Sequence, residues 1–327
     1  MPAPSAAGRK FPNISSKAYE HPADRAATAA LGSIPYLDRV VRGLIDFQYE
    51  RALRQLYLGN AVQIGDQQLP QVWQRHTRAL EALDLSERYD LYLAQGIWAN
   101  AVTIGAKRPI VVLDSTLVSL LDEEQLESVL AHEAAHILSD HVLYRTALEI
   151  LLSFSQLNRL PLFAGLPIIA IRSALLEWAR ASELTCDRAA ALVVGDPRIV
   201  CRTMMTLAAG AEAKDLNLDA FLEQAAAYED WDSGLDRARR FFLELGATHS
   251  FPVRRVSELM HWVQGGDWDR IMNGEYMTRD QEVDARQEAG DAVAFYADRF
   301  RDFFQETGES VQAAGQQLSD WLRGGKS

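Results

Sequence analysis

The chain has 327 residues, 48% of them hydrophobic and 24% charged, with a formal net charge of −12. This balance suits a globular protein with a sizeable core. It excludes a general nucleic-acid binder, because no basic surplus exists to neutralise phosphates. The opening MPAPSAAGRKFPNISS has no apolar run of the signal-peptide kind, and two cysteines, Cys186 and Cys201, provide no disulfide framework. Both features point to a reducing, cytoplasmic setting.

Residues 1–30 are rich in Ala, Pro and Ser and read as a loosely ordered segment. From Ile34 to Leu58, apolar Leu37, Val40, Val41, Leu44, Ile45 and Phe47 recur at helical spacing. A second helix is expected over 71–83, which makes 31–84 an N-terminal helical region. The period then changes. YDLYLA (89–94), NAVTIG (100–105) and PIVVLD (109–114) are short and β-prone, and the turn residues of GAKRP pair the last two as a hairpin.

Asp122 followed by Gln125 is a capping-box pattern. It opens a helix expected to run unbroken from 123 to 154. Further helices are expected over 172–193 and 198–212. LPLFAGLPIIAI (160–171) is too short to span a bilayer, which takes about 20 apolar residues. It reads as the buried turn of a helical hairpin, with peripheral membrane contact as the less favoured alternative. The tail after Met277 places Val293, Tyr296, Phe300 and Phe303 on one helical stripe. Acidic Asp298, Asp302 and Glu306 on its other side disfavour anionic lipid. Residues 263–327 form a C-terminal amphipathic extension. The fold class is therefore α+β, mostly helical, with a small sheet just before the helix that begins at Glu123.

That helix carries ESVLAHEAAHILSDH (127–141). His132 and His136 are one turn apart and can aim at one ion, while Glu133 lies about 100° further round, within reach of a metal-bound water. Two imidazole ligands plus a carboxylate base is the arrangement of a zinc hydrolase. Catalytic zinc needs a third protein ligand. A metzincin would place Gly and His where Ser139 and Val142 stand, and His141 is one residue out of step. A thermolysin-like spacing would put glutamate where Gln156 stands. In ASELTCDRAA (181–190), Glu183 and Asp187 again share one helical face. Glu183 can complete the ligand set, and Asp187 can accept a hydrogen bond from a ligand imidazole. Glu149 and Glu177 are weaker candidates. Cys186, close to that face, reads as a buried small apolar residue with a part in zinc binding or regulation as the lesser alternative, and Cys201 reads as core. His141 reads as a supporting or surface residue.

VVLDSTLVSLLDEEQLESVLAHEAAHILSDH, ELTCDRAA and THSFPVRRV, in this order, resemble the gluzincin metallopeptidase family of the heat-shock protease HtpX and the CAAX prenyl endopeptidases. The likeness covers about residues 85–262, expected to be the catalytic domain, and Ser250 stands where the family carries proline. Without an evident spanning helix, the chain resembles the soluble branch. The resemblance implies a zinc endopeptidase acting on protein or peptide substrates, with Zn2+ held by His132, His136 and Glu183 and with Glu133 as general base. It implies that His249 stabilises the oxyanion, that Arg255 orients the acidic residues, and that the NAVTIG strand receives the substrate near Asn100. The alternative is a catalytically silent, zinc-stabilised module that binds proteins or acts as a chaperone.

Overall fold

The computed structural model describes residues 9–33, 41, 45, 50–96, 99–106, 108–153, 168–229 and 249–281. Helices dominate, and four short strands form one sheet, β1 (Ala61–Ile64), β2 (Asp90–Ala94), β3 (Ala101–Ile104) and β4 (Ile110–Asp114), in the order β1-β2-β4-β3. The α+β, mostly helical class is thus the one expected. The expected hairpin forms, with Thr103 opposite Val111, and β2 runs parallel to β4. Along β4, Ile110 and Val112 enter one apolar cluster while Val111 and Leu113 enter another. Both faces of the sheet are covered, so its central strand reads as an unbroken apolar run. Strand β1 has little such signal. Val62 and Gln63 are exposed and Ile64 is buried.

In chain order the α-helices are α1 (Pro22–Ser33), α2 (Glu50–Asn60), α3 (Pro70–Ala82), α4 (Ser115–Leu120), α5 (Glu123–Leu138) and α6 (Val142–Ser153). They continue with α7 (Ile168–Val194), α8 (Pro197–Ala209), α9 (Leu218–Glu229), α10 (Pro252–Gln264) and α11 (Asp267–Met272). A short 3-10 helix, Gly210–Asp215, follows α8. The start of α5 is fixed as its sequence predicts. The Asp122 side chain accepts from the Gln125 amide at 2.9 Å, and the Gln125 side chain accepts from the Asp122 amide at 3.1 Å. These bonds satisfy two amide donors at the helix entry.

The helix expected over 123–154 is instead two helices. Ser139 closes α5, Asp140 turns into the left-handed region at φ 57°, and α6 restarts at Val142. Ser and Asp compete with helical bonding through local side-chain contacts, and Asp tolerates that backbone region. The turn brings His141 back against its own helix, with its amide on the His136 carbonyl at 3.0 Å.

Helix α5 packs along α7. Ala131, Ala134 and Ala135 of α5 and Ala189, Ala190 and Ala191 of α7 are all buried in the same cluster. Small side chains let helix axes approach closely. Loose order does not hold for residues 9–33. Phe11, Ile14 and Tyr19 are fully buried, and α1 packs against α7. Their few large apolar residues sit where each is covered, which composition alone does not show. Most of the helix expected over 34–58, the 160–167 turn, and the amphipathic stripe after residue 281 lie outside the described residues. Strand β1 begins where that first helix ends.

Candidate metal centre

Helices α5 and α7 bring the predicted residues together. His132 Nε2 lies 3.3 Å from Glu183 Oε2, and His136 Nε2 lies 3.3 Å from Glu183 Oε1. Both histidines thus present a nitrogen to one carboxylate, and imidazole nitrogen and carboxylate oxygen are the donors zinc takes at roughly 2.0–2.2 Å. Two of these atoms, His136 Nε2 and Glu183 Oε2, are buried without a hydrogen bond. A buried polar atom without a hydrogen bond is costly, and a metal would satisfy His136 Nε2 while adding to the cations that already face Glu183 Oε2. The residues therefore fit a zinc-type ion.

Each histidine is also held at its other nitrogen. His132 Nδ1 lies 3.1 Å from Asp187 Oδ1. Arg255, entering from α10, grips Asp187 through Nε at 2.8 Å and Nη2 at 2.6 Å, and its Nη1 lies 3.2 Å from Glu183 Oε2. His136 Nδ1 lies 3.1 Å from His141 Nδ1. His141 is buried against His136 and not at the surface. Arg145 of α6, unmarked in the sequence, donates to Glu183 Oε1 at 2.6 Å. Two buried guanidiniums therefore face one carboxylate.

The electrostatics follow from these neighbours. Burial disfavours a charged His132, but the Glu183 charge and the Asp187 hydrogen bond outweigh it and push the ring up to about 9. Burial, reinforced by the Arg145 charge, holds His136 well below the ordinary histidine value. Burial alone would raise Glu183, yet the surrounding rings and both guanidiniums keep its carboxyl well below the usual range. His249 lies 3.6 Å from Glu183 Oε2 with its side chain 37% exposed, on the open side of the cluster. Glu183 favours a charged His249 ring, but burial and the two guanidiniums prevail and push it down to about 4.

Cys186 also falls within this group. Ligand atoms of His132, His136 and Cys186 lie within 4.8 Å of one another. Its sulfur is 3.7 Å from His141 Nδ1. Burial and the Glu183 charge push the thiol well above its ordinary value. Glu183 faces both Nε2 atoms. Glu177 instead pairs with Arg180.

Glu133 is buried, and Thr103 of β3 donates to its Oε2 at 2.7 Å. Strand β3 is a sheet edge, and no described strand pairs with its outer side. Asn100 stands exposed just before it, its carbonyl accepting from the Asp114 amide at 2.9 Å. Ser250, in the position where resemblance expects proline, is buried, with its hydroxyl 3.5 Å from the Arg180 carbonyl.

The profile of peptidase family M48 matches residues 65–263, which include every residue of this cluster. The chain belongs to peptidase family M48. It is a metallopeptidase, and the gluzincin resemblance is borne out. A curated relative, the plastoglobule-localized metallopeptidase 48 of Arabidopsis thaliana chloroplasts, is 33% identical over 267 residues, covering 80% of this chain and 77% of that protein. No solved structure matches this M48 chain. Among its described residues, no helix is long and apolar enough to cross a membrane.

Proposed function

We propose that the chain is a zinc-dependent metalloendopeptidase, with His132, His136 and Glu183 holding the metal and Glu133 as general base. The observation that carries this reading is the convergence of both Nε2 atoms on the two oxygens of one carboxylate at 3.3 Å each. When bound, zinc would supply Lewis acidity and lower the pKa of a water. Glu133 takes the proton of the attacking water and delivers it to the leaving amine. Thr103 holds one Glu133 oxygen and leaves the other for that transfer. His249, facing the same cluster, donates an N–H to the developing oxyanion.

Arg255 and Arg145 fix the ligand carboxylate, and Asp187 fixes the His132 ring. A protein or peptide strand docking along β3 near Asn100 would bring a scissile bond past Glu133, because the edge of an open sheet can accept an added strand. Structural zinc usually has four protein ligands, so the three-ligand set and the held Glu133 favour catalysis over a silent binding module.

The test is digestion of an unfolded protein such as casein, with fragments sequenced by mass spectrometry. Internal cleavage that stops on chelation and returns with Zn2+ is the expected result. Cleavage that persists in demonstrably metal-free protein overturns the reading.

A further inference from the structure

Behind His136 runs a buried chain of polar groups that leaves the M48-matched span. His136 Nδ1 meets His141 Nδ1 at 3.1 Å, and His141 Nε2 meets Asp24 Oδ2 at 3.0 Å. Thr185 donates to the same Asp24 oxygen at 2.6 Å and accepts from the His21 amide at 3.0 Å. Asp24, Thr185, His141 and His21 are all buried. Trp178 packs edge-on against His141, with ring centroids 5.5 Å apart, and its indole N–H reaches Thr28 at 3.0 Å. A carboxylate with no exposed surface is expensive unless its oxygens are used. Here one oxygen of Asp24 serves His141 and Thr185.

The direction of these bonds is forced once His136 uses Nε2 for metal. A neutral imidazole carries one proton, so His136 must hold it on Nδ1 and donate it to His141. His141 then accepts at Nδ1, carries its own proton on Nε2, and donates to Asp24. Without an acceptor at Asp24, His141 can adopt the other tautomer. That would set two N–H groups against each other across 3.1 Å.

We propose that Asp24 is a positioning residue of the metal site, acting through His141 to fix the tautomer and orientation of His136. The proposal rests on the metal-ligand reading of His136. It gives residues outside 65–263 a part in the centre, since Asp24 is supplied by α1. Outer partners of ligand histidines typically change metal affinity by about 10- to 100-fold.

Asp24→Asn keeps the side-chain shape but removes the charge and offers an N–H2 that can face His141. Zinc affinity of the full chain is measured by competition with a chromophoric chelator, beside the melting temperature of the metal-free protein. The tautomer of His141 is read from two-bond 15N–1H correlations of the zinc-loaded wild type. The expected result is 10- to 100-fold weaker zinc binding with metal-free melting within a few degrees of wild type, and His141 protonated at Nε2. Unchanged affinity in Asp24→Asn beside a zinc-binding wild type overturns the proposal alone. If the substitution also lowers metal-free melting, the wild-type tautomer decides. Nε2–H supports the proposal and Nδ1–H overturns it. A wild type that binds no zinc overturns the ligand reading, and the proposal with it.

Discussion

His132 and His136 stand one turn apart on α5, yet they are held from behind in different ways. His132 leans directly on the Asp187 carboxylate, which two Arg255 nitrogens grip. His136 Nδ1 leans on another imidazole, and on that side the ring reaches a carboxylate through His141. The first support comes from α7 and α10, within the span matched by the M48 profile, whereas the second ends on α1, outside it. Their charges differ accordingly. A carboxylate neighbour raises His132, while burial and Arg145 depress His136. Two histidines on the same face of one helix can therefore be fixed by unrelated parts of the chain.

Asp187→Asn breaks the stronger support and should have the larger effect. It removes the main counter-charge from a buried guanidinium, and breaking such pairs typically costs about 3–5 kcal/mol. Denaturant unfolding of the metal-free protein should show a loss of that size. Asp24→Asn strands no guanidinium and should stay within about 1 kcal/mol of wild type in the same assay. Equal losses would mean that the two supports are equivalent, and the contrast would be gone.

A smaller effect sharpens the picture at Glu133, whose partner is a neutral hydroxyl. Thr103→Val keeps the shape and removes the 2.7 Å bond. One net hydrogen bond is worth about 1 kcal/mol, or roughly fivefold in kcat. Steady-state kinetics should show that loss with full zinc content. A variant that loses zinc would show that Thr103 supports the ligands and not the base.

The proposed metal residues are legible in the sequence because helical geometry makes spacing into direction. His132, His136, Glu183 and Asp187 are two pairs at one-turn spacing, and the expected juxtaposition of the pairs is what the structure contains. The hairpin and the α5 cap were legible for the same reason, since turn and capping chemistry is local. Arg145, Thr103 and Asp24 were not. Arg145 reaches Glu183 across 38 positions, Thr103 reaches Glu133 across 30, and Thr185 reaches Asp24 across 161. Such contacts depend on how elements pack. The break at 139–141 was missed because apolar spacing continues through it while Ser139 and Asp140 end the helix. Without that turn, His141 would point along the helix and no second support would exist.

The central claim is that Glu133 is the base of a metal-assisted hydrolysis, and Glu133→Gln tests it most directly beside Glu183→Gln. Glutamine nearly preserves shape in both, but only the first variant leaves the three ligands intact. Zinc content and casein hydrolysis are measured for both and for wild type. The account predicts that Glu133→Gln keeps stoichiometric zinc and loses turnover by about two to four orders of magnitude. Glu183→Gln should lose zinc and turnover together. Wild-type turnover in zinc-loaded Glu133→Gln would contradict the account.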